Sequence, residues 1–116
     1  MTIQVHDFLL SPTYDGSIKT SLQGVFVISR GRAYMAASIE AKDDLGQAIS
    51  LDYEQLKPLL MAKVPAYGGG AYLYCDPAIV EGVIVATSSG EEPRFVLRDV
   101  ASFALTRRGQ TFQVLP

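Results

Sequence analysis

The chain holds few of the groups that do covalent chemistry near neutral pH. Among its 116 residues stand one histidine, His6, one cysteine, Cys75, and no tryptophan. Catalysis at that pH usually draws on a tuned imidazole, a thiolate or a metal held by such groups. A Cys–His pair can form only once here, and a zinc cage of histidines not at all. Cys75 falls on the strand face of Ala71 and Leu73 and reads as a small buried hydrophobe. His6, beside Gln4 and Phe8, reads as a structural imidazole.

Two acidic pairs, Asp43-Asp44 and Glu91-Glu92, fall on expected loops. Adjacent carboxylates do not converge on one metal without a third ligand from elsewhere, and the alternating pattern of a calcium loop is absent. Both read as solvated charge. Gly68-Gly69-Gly70 follows a helix and enters a strand, whereas a phosphate-cradling loop precedes a helix and carries a Lys-Ser/Thr pair. It reads as a helix stop. The expectation is no cofactor and no metal.

Tyrosine gives the more suggestive pattern. Tyr72, Tyr74 and Asp76 alternate with Leu73 and Cys75, which predicts one shared outward strand face, and Tyr67 lies just before it. Tyrosine is over-represented at interface hot spots because it buries a large ring and still satisfies a hydroxyl. Together with Asp43 and Asp44, these residues form the candidate partner-binding surface. Arg30-Gly31-Arg32-Ala33-Tyr34 and Arg107-Arg108-Gly109-Gln110-Thr111-Phe112 place arginines near aromatics at two hairpin tips. A single-strand-binding surface offers such a mixture, yet both groups are short.

The elements that would position these residues follow from periodicity. Thr2–Leu10 alternates as a strand, and Val25–Ile28 is apolar on both sides, as a doubly covered strand is. Arg30-Gly31-Arg32 predicts a reversal into a second strand over Ala33–Ile39. Ser50 or Asp52 can cap a helix lying somewhere in Leu51–Lys63, where Leu56, Leu59, Leu60 and Val64 recur at helical spacing. Pro58 suits its first turn. Strands follow over Ala71–Cys75, Val83–Thr87 and Arg94–Leu97, and a hairpin joins Ala101–Thr106 to Thr111–Leu115 through Arg107–Gln110. Gln23-Gly24-Val25-Phe26-Val27 and Glu81-Gly82-Val83-Ile84-Val85 echo each other. The class expected is α+β: one domain over residues 1–116, with a mainly antiparallel twisted sheet or partly closed barrel and one helix near residues 51–63.

Composition agrees with a folded domain, at 48% hydrophobic and 19% charged residues. One cysteine forms no internal disulfide, no signal-peptide pattern opens the sequence, and no apolar run is long enough for a membrane helix. A cytoplasmic protein without membrane association is expected, alone or as a small homo-oligomer. The net charge of −2 is uneven: +1 over residues 1–32, −6 over 33–92 and +3 over 93–116. An acidic middle disfavours nucleic acid and suits a basic protein partner.

The function expected is non-catalytic protein–protein binding. Its most concrete form is an immunity-type protein that neutralises a cognate toxin by occupying its surface. The alternative is a small enzyme or ligand-binding barrel using carboxylates and tyrosines, with Asp76, Glu81, Tyr72 and Arg98 lining a cleft.

Overall fold

Two tight reversals organise the chain. In a computed structural model, which describes residues 2–12, 16, 18–52, 57–66, 70, 72–87, 90 and 92–115, both are Arg-Gly pairs. Arg30 and Gly31 have φ of 54° and 77°, and Arg108 and Gly109 have 53° and 78°. Such turns match the right-handed twist of paired strands, so each closes a two-residue hairpin. The first joins β2 (Lys19–Ser29) to β3 (Arg32–Ala36), and the second joins β6 (Phe95–Arg107) to β7 (Gln110–Leu115). Both stand where the sequence predicts them.

The remaining elements are β1 (Thr2–Gln4), α1 (Val5–Leu10), β4 (Ala48–Leu51), α2 (Lys57–Lys63) and β5 (Tyr72–Ala86). Pairing runs from β2 to β3, β4, β6 and β5, and from β5 back to β2, so five strands close into a ring. The spatial order β5–β2–β3–β4 is a Greek key. β1 adds to β2 in parallel, and β4 meets β6 in parallel at Ser50–Val96 and Leu51–Leu97. The other pairings are antiparallel, so the sheet is mixed rather than purely antiparallel. Among the described residues no helix is long and apolar enough to cross a membrane.

Closure depends on two long strands that each serve two neighbours in turn. β2 lies beside β1 up to Gln23 and beside β3 from Val25 onward. β6 lies beside β4 at Val96–Leu97 and beside β7 from Phe103. At each change a glycine lets a carbonyl come close. A Cβ on Gly24 would sit 2.6 Å from the Ala36 carbonyl oxygen, and one on Gly82 would sit 2.6 Å from that of Arg98. Next to the second contact, Asp99 takes a φ of 51° and the β5–β6 register shifts. The two echoed sequence segments thus share a physical cause: each carries the glycine at which the ring bends.

Three expectations change. The opening strand stops at Gln4 and Val5–Leu10 is helical, because Val5 and Phe8, three positions apart, both reach the core. The described helix is Lys57–Lys63, within the expected span; Leu51 belongs instead to β4, a four-residue strand too short to announce itself. Val83–Thr87 and Ala71–Cys75 merge into the single strand β5, which runs through Pro77.

Inside the ring lies the main core. Phe26 meets Phe103 edge-on at 4.9 Å between centroids and Tyr74 at 6.0 Å, while Leu60 and Val64 of the α2 region are fully buried beneath them. Such ring pairs add about 0.5–1.5 kcal/mol each beyond the area they bury.

Candidate functional site

The outer face of the ring carries a second, smaller apolar cluster: Val25, Val27, Tyr34, Ala36 and Ala48. Strands β2 and β3 are therefore covered on both sides, as the doubly apolar Val25–Ile28 run predicts. The cover is the connection between β3 and β4, residues 37–47, which folds back as a strap over that face and contributes Leu45. Its local order comes from short-range capping. Asp44 accepts a bond from the Gly46 amide at 3.0 Å and another from Gln47 Nε2 at 2.9 Å, which fixes the 3₁₀ turn Leu45–Gln47.

Two tyrosine hydroxyls pin the strap. Tyr34, from β3, donates to the Lys42 carbonyl at 2.5 Å, and Tyr72, from the start of β5, donates to Asp43 Oδ1. Lys42 Nζ lies 5.8 Å from the centre of the Tyr72 ring, a cation–π distance. Where the strap meets the Arg30-Gly31 turn, an open groove of about 540 Å³ is lined by Ser29, Arg30, Arg32, Tyr34, Asp43, Leu45 and Tyr72. A smaller depression of about 260 Å³ continues past Arg32, Tyr34 and Leu45 to Ser50, Leu51 and Pro93.

The titrating groups here are held away from reactivity at neutral pH. The hydrogen bond to Asp43, with desolvation and that carboxylate's charge behind it, pushes Tyr72 up to about 12. Burial, then Asp43, raises Tyr34, while Arg30 and Arg32 pull it the other way. Burial, then the Asp76 carboxylate, raises the Cys75 thiol. Both phenols are thus proton donors and the thiol is a poor nucleophile. Among the described residues no three of His, Cys, Asp and Glu gather where a metal would need them.

The structure redistributes the residues that the sequence singles out. Asp43 and Tyr72 converge in the groove, and Asp44 caps the adjoining turn. Tyr67 lies outside the described residues. Tyr74 and Asp76 do not share an outward face with Tyr72, being 0% and 3% exposed. The cause is a β-bulge. Ile28 pairs with Tyr74 but Ser29 pairs with Tyr72, so Leu73 is the extra residue and alternation reverses across it. Leu73, expected inside, is instead 44% exposed.

Tyr74 and Asp76 hold the inside of the barrel. The Tyr74 hydroxyl donates to the Val64 carbonyl at 2.6 Å, tying the end of α2 to β5. Arg107 reaches Asp76 with two bonds, Nε at 3.1 Å and Nη2 at 2.8 Å, and gives a third to the Pro65 carbonyl at 2.6 Å. The four residues of the cleft alternative are dispersed. Asp76 is buried, Arg98 is exposed beside Asp99 at 3.7 Å, and Glu81 lies between Ser21 and Ser102, away from Tyr72. His6 is exposed on α1, whereas Cys75 packs on the outer cluster.

The groove residues that sequence reasoning left out of the partner surface are Ser29, Arg30, Arg32, Tyr34 and Leu45. A signal existed for three of them, in the run Arg30-Gly31-Arg32-Ala33-Tyr34. Compared with protein-family models, curated proteins and solved structures, the chain matches none.

Proposed function

We propose that this chain is a non-catalytic protein-binding domain that acts by occupying a partner's surface through the groove between the Arg30-Gly31 turn and the strap. An immunity-type role, in which the partner is a toxic enzyme neutralised by that occupation, is the most concrete form of this reading. The observation that carries it is the make-up of the groove. Two exposed arginines and the half-buried Tyr72 line it together with the apolar Leu45, on a face stiffened by a strap that the Tyr34 and Tyr72 hydroxyls pin. Arginine and tyrosine are the residue types that concentrate binding energy at interfaces, and a preorganised face loses less entropy on association. With both phenols raised, the tyrosines of the groove serve as hydrogen-bond donors.

The partner face that fits is acidic, the reverse of what the acidic middle segment suggests. That segment gives the groove one carboxylate, Asp43, and the Tyr72 hydroxyl engages it.

Affinity capture with the tagged, intact chain from an extract of its native host tests the proposal. One stoichiometric partner is expected, retained by the wild type, weakened by salt and lost by the Arg30→Glu/Arg32→Glu variant. A chain that is recovered alone overturns it.

A further inference from the structure

Resting on the binding-domain reading, the geometry points to the chemistry of the partner: we propose that Arg30 and Arg32 form a carboxylate-binding site for an acidic segment of a protein. Both arginines are exposed: Arg30 is the first residue of the two-residue turn, and Arg32 directly follows the turn. Among the described residues the ion pairs are Arg98–Asp99 and Arg107–Asp76, so neither Arg30 nor Arg32 is neutralised by a described carboxylate. Both line the same groove, where the one described carboxylate, Asp43, accepts a hydrogen bond from the Tyr72 hydroxyl. Guanidinium groups present planar forks of N–H donors that match carboxylates in paired hydrogen bonds.

The scaffold supports that role. Arg30 holds a φ of 54°, in the left-handed region where an ordinary side chain is disfavoured by roughly 1–2 kcal/mol. Asparagine or glycine would relieve the strain at this position, and neither would carry a charge. Arg108 stands in the same conformation at the other hairpin without lining the groove, so strain alone does not mark a site. The distinction of Arg30 is its setting in the groove, with Arg32 and the apolar Leu45 lining it too and with Asp43 there engaged by the Tyr72 hydroxyl.

The groove is a poor match for a nucleic acid. Single strands bind by stacking bases on exposed rings along a track of cations. Here Tyr34 is only 4% exposed, and Lys42 stands over the Tyr72 ring. Along the outer face beyond the groove come Gln23, Ser21 and then Lys19 of β2, with Gln4 and Glu81 beside them, so the arginines are not continued by a track of cations.

The test is a titration of the isotope-labelled full chain with blocked poly-glutamate, poly-lysine of equal length and oligothymidylate, followed by backbone amide NMR. Poly-glutamate is expected to shift Ser29–Tyr34 and Asp43–Leu45, more weakly as salt rises. Affinity is expected to fall roughly tenfold for each of Arg30→Gln and Arg32→Gln, a loss of the size of one charged hydrogen bond. Both arginines are exposed, so thermal melts should confirm that the variants fold. Binding unchanged in the double variant, no shifts in the groove, or tighter binding of oligothymidylate to the same residues overturns the proposal. Failure here alongside capture of a stoichiometric partner removes the carboxylate chemistry and leaves the binding-domain reading intact. Poly-glutamate binding by a chain that captures no partner does the reverse.

Discussion

Replacing Asp76 by alanine should be among the most damaging single changes available to this protein. The Asp76 side chain is 4% exposed and that of Arg107 13%, so water screens neither charge well. Two hydrogen bonds of the Arg107 guanidinium end on Asp76, beside one to the Pro65 carbonyl and the Tyr74 ring at 5.8 Å. Removing one partner of a largely buried ion pair costs about 3–5 kcal/mol. Against the roughly 5–15 kcal/mol that holds a typical domain together, that is about a fifth or more of the whole. At about 4 °C per kcal/mol for a chain of this size, the melting temperature should fall by roughly 12–20 °C. Urea unfolding of wild type, Asp76→Ala, Arg107→Met and the Asp76→Ala/Arg107→Met pair would measure it. The double variant removes both charges, so its loss should be well below the sum of the singles. A single variant within about 1 kcal/mol of wild type, or strict additivity in the pair, would refute the reasoning.

Two further expectations follow from other parts of the fold. Tyr72 is raised from 10.0 to about 12, so the folded state holds that proton more tightly than the unfolded chain does. Its contribution should be complete below pH 10 and decline as pH rises toward 12, and Tyr72→Phe should flatten that decline in a chemical-denaturation series. Gly24→Ala would push a methyl group to 2.6 Å from the Ala36 carbonyl oxygen and 2.8 Å from Val5 Cγ2, costing about 1–3 kcal/mol in the same assay. A neutral result there would show that β2 can bend without the glycine.

What was legible in the sequence was what is local. The Arg-Gly turns announced both hairpins because glycine accepts the backbone conformation they need. Of the helical set, Leu60 and Val64 announced the buried face in and beside α2, whereas Leu59 is 39% exposed and Leu56 lies outside the described residues. The short elements gave no such notice: β4 has too few residues for a period, and Val5–Leu10 fits alternation nearly as well as helical spacing. The largest error came from one residue. Counting along Tyr72–Asp76 assumes an unbroken pleat, and the bulge at Leu73 inverts everything beyond it. Nothing in those five residues signals it, because it arises from how β5 fits against the end of β2. The groove was half visible for the same reason. Arg30, Arg32 and Tyr34 are neighbours in sequence, but Asp43 and Tyr72 join them only after the strap folds back and the ring closes.

That closed ring also dictates the order in which a growing chain can satisfy its strands. β2 and β3 can pair across their own turn as soon as both exist. The second neighbour of β2 is β5, and that of β4 is β6, which pairs with it at Val96 and Leu97, late in the sequence. Until then β2 and β4 carry open edges, and joining such distant segments is slow because closure entropy must be met before any contact compensates for it. Val25–Ile28 lies in one of those edges and is buried on both faces when finished, so while it waits it is the natural template for pairing with another chain. The step most exposed to aggregation in this protein is therefore its synthesis, before β5 and β6 arrive.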